Sequence, residues 1–193
     1  TEDGLRMFAQ PIEEIKKIYG KNWIYQDKVI GEGHHSIMEE NVDYGLYDIS
    51  VEFEIGSAER FGLLIKNIQI TYDINEQKLY CQERYAPLKP KDGKIKLRIL
   101  VDRTTLEIFA NDGRIYIPVR TSIKISDISV DISKWGTDLN ISEFIELYPH
   151  KINYLASYFK PIIIEKNNIL VSSEGGKTKL LKMEVYELNS IWH

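Results

Sequence analysis

Residues 97–113, LRILVDRTTLEIFANDG, decide how this chain folds. Leu97, Ile99 and Val101 recur at every second position, Asp102-Arg103-Thr104-Thr105 breaks the run, and a second apolar stretch through Leu106 and Ile108 ends at Asn111-Asp112-Gly113. Successive side chains of a strand point to opposite faces, so this pattern predicts a hairpin whose turn contains residues 102–105. Asn and Gly both tolerate the positive φ of a tight turn, and residues 111–113 therefore predict a second hairpin leading into a strand at 114–119.

The same period extends on both sides. Ile49, Val51, Phe53 and Ile55 alternate with Ser50, Glu52 and Glu54, and short strands are expected at 61–66, 68–72, 79–84, 96–102 and 180–188, the last after the turn Glu174-Gly175-Gly176. Strands at this density without interleaved helices predict an antiparallel sandwich or barrel. One segment differs: Pro11 suits a first helical turn, Ile12, Ile15, Ile18 and Tyr19 share a face, and Gly20 is placed to end it. Glu13 and Glu14 early, with Lys16 and Lys17 late, complement a helix dipole. Between 121 and about 168 the pattern loosens. Ile123, Ile125, Ile128, Val130 and Ile132 suggest one or two bulged strands, and residues 142–148 a short helix capped by Ser142.

At 193 residues the chain can bury a full core, and 43% hydrophobic against 28% charged residues is a globular balance that excludes disorder as the main state. The formal charge of −4 argues against a nucleic-acid partner, which would call for a basic surface. Runs such as Ile162-Ile163-Ile164 fall far short of the roughly 20 apolar residues of a membrane-spanning helix. Cys81 is the only cysteine, so an intrachain disulfide and a multi-cysteine zinc site are impossible, and a buried small residue is expected there. The start Thr1-Glu2-Asp3-Gly4 has neither Met nor an apolar leader behind it, which predicts a piece of a longer chain.

Four stretches in order carry a family resemblance. Residues 97–113 resemble the LRIFVDRSSVEVFVNDG-type segment in the C-terminal β-sandwich of glycoside hydrolase family 32, the family of invertases, levanases and inulinases. LRMFAQPIEEI at 5–15 resembles the linker leaving that family's catalytic domain, ITYDINEQKLY at 70–80 its strand-turn-strand, and EGG at 174–176 with MEVYELNSIW at 183–192 its terminal strand. There are departures: Gln82-Glu83 stands where the family often has Asp-Arg, and the interval from Gly113 to Gly175 is longer than the resemblance implies, which places an insertion at about 121–168.

The resemblance implies a catalytic five-bladed propeller upstream, with a carboxylate nucleophile in a W-x-N-D-P-N-G-like motif and R-D-P and E-C motifs for the stabiliser and acid. None of these occurs here. Five blades at roughly 40 residues each would alone need about 200 residues. Asn111-Asp112-Gly113 lacks the preceding Trp and the following Pro, and a hairpin turn explains it. His34-His35 and Glu39-Glu40 are adjacent pairs whose side chains diverge in a strand, and Gly31-Glu32-Gly33 lacks the helix of a phosphate loop. Asp102 and Arg103 suit turn formation.

The expectation is therefore an all-β fold: a two-sheet antiparallel β-sandwich of concanavalin or jelly-roll type with a short N-terminal helix. Residues 1–22 would form an interdomain linker and that helix, and 23–193 the sandwich. Leu5, Phe8, Pro11 and Ile15 are the candidate contacts to the missing propeller. No catalytic residue, metal or cofactor is expected. The resemblance implies a parent acting on fructans or sucrose, secreted or periplasmic. Two other roles stay open, a lectin-like module holding fructan or another glycan and an oligomerisation module. Among the aromatics Trp23, Trp135, Tyr148, Tyr154 and Tyr158, Trp135 and Tyr158 are the candidates for stacking on sugar rings.

Overall fold

The computed structural model describes residues 7–38, 46–66, 68–121 and 169–189. These belong to one unit built from residues 1–121 and 167–193. The one or two strands and the short helix expected within 121–168 lie outside the described residues.

The strands are β1 (Tyr19–Ile30), β2 (Gly33–Ser36), β3 (Leu46–Glu54), β4 (Arg60–Ile65), β5 (Ile68–Asp73), β6 (Lys78–Cys81), β7 (Arg84–Pro87), β8 (Lys94–Val101), β9 (Thr105–Ala110), β10 (Ile115–Arg120), β11 (Leu170–Glu174) and β12 (Thr178–Leu188). They form two six-stranded sheets, here A and B, ordered β1-β12-β3-β8-β9-β10 and β2-β11-β4-β5-β6-β7. Every pairing is antiparallel. The fold is the expected β-sandwich.

Alternation sends one residue in two to the core. Ile49, Val51 and Phe53 of β3 and Ile95, Leu97 and Ile99 of β8 face inward from sheet A, and Phe61, Leu63, Ile70, Tyr72 and Leu79 from sheet B. The Phe53 ring from sheet A meets Phe61 from sheet B at 5.0 Å, and Phe61 meets Tyr72 at 5.4 Å, so a tilted aromatic row joins the two layers. Tyr72 resolves its buried hydroxyl by donating to the Leu88 carbonyl at 3.0 Å, and burial pushes its ionisation up to about 12. Cys81 is fully buried in this core.

The two turns in 97–113 form as expected. The Asp102 amide donates to the Thr105 carbonyl at 2.8 Å, and the Asp102 carboxylate accepts from the Arg103 amide at 2.7 Å. Asn111, Asp112 and Gly113 take φ of +44°, +61° and +84°. Asn111 does more than turn. Its side-chain oxygen accepts from the Lys96 amide at 3.0 Å and its amide nitrogen donates to the Lys89 carbonyl at 2.9 Å, tying three segments together.

Three expectations change in detail. The helix expected from Pro11 to Gly20 is a 3-10 helix, Glu13–Ile18, whose N-cap residue Ile12 supplies no side-chain bond. Tyr19 and Gly20 pass instead into β1, which pairs with β12 at Tyr19↔Leu188 and, after a bulge, from Asn22↔Tyr186 onward. β1 and β2 themselves leave little trace in the sequence: β1 buries only Ile30 and β2 buries nothing, so neither alternates. The strand expected at 79–84 is two strands, with Gln82 at φ +54° in a turn that lacks the usual Gly or Asn signal.

Candidate functional site

The residues ahead of β1 form a strap across the outer face of sheet A. Its Ala9 amide donates to the Gly113 carbonyl at 3.1 Å, and the Gln10 side chain donates to the Asp112 carbonyl at 2.9 Å. Gly113 is required here twice over. Its φ is +84°, and a Cβ would lie 2.0 Å from the Ala9 carbonyl oxygen. Gln10 and Pro11 roof a cavity of about 370 Å³ floored by outward residues of β3, β8 and β12, including Ser50, Glu52, Lys96, Arg98 and Glu184.

Where the strap becomes β1, a polar cluster fixes it. Asp48, 2% exposed, accepts from the Arg98 guanidinium at 3.0 and 2.6 Å and from the Tyr19 hydroxyl at 2.7 Å. The Tyr19 ring stacks on Tyr186 at 4.2 Å with 16° between planes. Burial, then the hydrogen bond to the Asp48 carboxylate, drives the Tyr19 phenol well above its ordinary range, and the same carboxylate raises Arg98. Tyr19 and Arg98 therefore keep their protons at any physiological pH. The cluster is a part-buried ion pair that ties the start of β1 to β3 and β8.

The strap presents apolar side chains outward. Met7 is 93%, Phe8 54% and Ile12 71% exposed. Pro11 and Ile15 are half-buried, and Leu5 lies outside the described residues. The expected contact set Leu5, Phe8, Pro11 and Ile15 omits Met7 and Ile12, whose exposure depends on the path of the strap rather than on a helical stripe. Trp135 and Tyr158, with Tyr148, Tyr154 and Glu39-Glu40, lie outside the described residues. Trp23 packs against the core from β1. His34 and His35 stand exposed on β2, His34 Nε2 3.3 Å from Gln69 Oε1 and His35 Nε2 3.1 Å from the carbonyls of Gly31 and Glu32. Among the described residues no group of three or more His, Cys, Asp or Glu is placed to hold a metal ion, and no helix is long and apolar enough to cross a membrane.

Two antiparallel sheets with an aromatic interlayer and a latched N-terminal strap define a β-sandwich module. The chain belongs to the family described as glycosyl hydrolases family 32 C terminal, whose family model matches residues 14–121. It is similar to a levanase of Bacillus subtilis (strain 168), with 28% identity over 176 residues covering 70% of this chain and 26% of the relative. A levanase of Bacillus sp. (strain L7) is 25% identical over 215 residues, covering 100% of this chain and 19% of the relative. The chain thus spans about a quarter or less of the curated relatives it matches. Its fold matches an exo-inulinase from Aspergillus awamori, at a TM-score of 0.63 and 16% identity over 96% of this chain and 33% of that one. It also matches fructan 1-exohydrolase IIa from Cichorium intybus, at 0.63 and 13% over 98% and 39%.

Proposed function

We propose that this chain is the non-catalytic C-terminal module of an enzyme hydrolysing fructans or sucrose, and that it stabilises a catalytic domain preceding it in the same chain. The observation that carries the reading is the strap. Met7, Phe8 and Ile12 are exposed on a segment that is nonetheless held in place by the Ala9–Gly113 and Gln10–Asp112 bonds. Exposed apolar groups on an ordered segment are suited to docking on another surface rather than to solvent. Levanases as relatives, each several times longer than the matched region, support the substrate class and the presence of further domains in the parent.

Four of the described acidic groups of the sandwich are engaged structurally. Asp48 is held by Arg98 and Tyr19, Asp73 by Arg60 at 2.8 Å, Glu52 by Lys94 at 3.5 Å and Glu184 by Lys182 at 3.0 Å. Glycoside hydrolysis needs one free carboxylate and one carboxylic acid flanking the bond to be cut. The purified chain is expected to release no fructose from sucrose, levan or inulin; saturable release would overturn the non-catalytic assignment.

A further inference from the structure

The outer face of sheet B carries a cleft that the strap does not touch. A row of paired residues crosses five strands there, His34 opposite Ser172, Ser172 opposite Gly62, Gly62 opposite Thr71, and Thr71 opposite Tyr80. Small groups fill the middle of the row. Gly62 has no alternative, since a Cβ would lie 1.9 Å from the Ile70 carbonyl oxygen, and so the centre of the face stays low between taller side chains. The resulting cleft measures about 650 Å³, within the range of pockets that hold a small ligand.

The charged groups of the cleft already have partners. Asp73 is bonded to Arg60 and to the Glu76 amide, Glu76 to Lys78 and the Tyr80 hydroxyl, Glu174 pairs with Arg60 at 3.7 Å, and Glu32 accepts from the amides of Gly175 and Gly176 at 3.2 Å. Neutral groups between them add further hydrogen-bonding capacity. Gln69 Nε2 donates to Ser172 Oγ at 3.1 Å while Gln69 Oε1 faces His34 Nε2, a relay that leaves the Ser172 hydroxyl hydrogen and the second Gln69 N–H to donate. Thr71 adds a hydroxyl beside them, and the Tyr80 ring closes one end, tilted against Tyr85 at 5.7 Å. A floor of neutral donors and acceptors with an aromatic wall and an acidic rim favours an uncharged polyhydroxylated ligand over an anion.

We infer that this cleft on sheet B, lined by Gln69, Thr71, Ser172 and Tyr80, is a binding site for a neutral oligosaccharide. The geometry of the cleft is independent of the parent's activity, and only the choice of fructans as first probes rests on the proposed function. The test is calorimetric titration of the chain with levan- and inulin-derived oligosaccharides and, in parallel, cello-oligosaccharides. Saturable binding weakened at least about tenfold by Gln69→Ala and by Thr71→Trp, and unchanged by Tyr116→Ala on the other sheet, is the expected result. Thermal melts identify any variant that fails to fold, and Gln69→Ala, which removes side-chain atoms without filling space, carries the test if Thr71→Trp does. Binding of cello-oligosaccharides alone with the same variant sensitivity supports the cleft and counts against a fructan-acting parent. Absence of saturable binding by every probe at millimolar concentrations, or binding indifferent to both variants, overturns the site.

Discussion

The Ala9 amide and the Gly113 carbonyl oxygen lie 3.1 Å apart, which joins the strap to the turn of a hairpin more than a hundred residues along the chain. The turn that shapes the β9–β10 hairpin therefore also fixes the path of the strap. Gly113→Ala adds a methyl where the Ala9 carbonyl already sits and imposes a side chain on a residue at φ +84°. We expect a loss of about 1–2 kcal/mol and faster tryptic cleavage after Lys16 and Lys17. Unaltered cleavage kinetics would show that the strap is not held by this turn.

Removal of Asp48 leaves the Arg98 guanidinium without its bidentate partner on a mostly buried face. Asp48→Ala is expected to cost about 3 kcal/mol, whereas Tyr19→Phe, which removes one hydrogen bond and keeps the ring stacked on Tyr186, costs about 1 kcal/mol. Urea unfolding of the two variants checks the order. Equal losses would mean that the Arg98 charge adds nothing beyond the Tyr19 hydrogen bond to Asp48.

Burial raises the Cys81 thiol from 9.0 to about 11. Its folded-state pKa lies above the unfolded value, so the thiol's contribution to stability is complete below pH 9.0 and is lost as pH climbs toward about 11. Wild type should lose more stability over that window than Cys81→Ala, measured by denaturant midpoints. At neutral pH, alkylation by iodoacetamide should track global unfolding, and fast labelling of the native chain would contradict the burial.

Asp73 behaves in the opposite sense. The Glu76 amide and then the Arg60 guanidinium hold its carboxyl below the ordinary 3.8, so its stabilisation is present above that pH and is lost as pH falls through the depressed folded-state value. Asp73→Asn should flatten the acid limb of the stability curve and cost about 1 kcal/mol at pH 7, because Arg60 is half exposed. An unchanged acid limb would show that the pair contributes nothing.

What the sequence disclosed follows burial. Strands with one face in the core, such as β3 and β8, announce themselves by alternation, and Asn111-Asp112-Gly113 by turn chemistry. The edge strands β1 and β2 bury almost nothing, so no pattern marks them. The Gln82 turn uses a left-handed residue that composition does not flag. For the site, linker residues could be placed near the boundary from the resemblance, but which of them face outward depends on the 3-10 geometry and on the latch to Gly113. Asp48 and Arg98 are adjacent only through the register that pairs Ser50 with Arg98, a tertiary fact with no local signal. The cleft on sheet B is likewise assembled from strands far apart in sequence.

Stabilisation of the domain that precedes this module is tested by thermal unfolding of the full-length parent. A Met7→Asp/Phe8→Asp/Ile12→Asp variant changes only exposed side chains of the strap. The isolated module is expected to keep its melting temperature with these changes while the parent's catalytic domain unfolds several degrees lower. A parent whose catalytic domain melts at the same temperature with and without the three substitutions would contradict it.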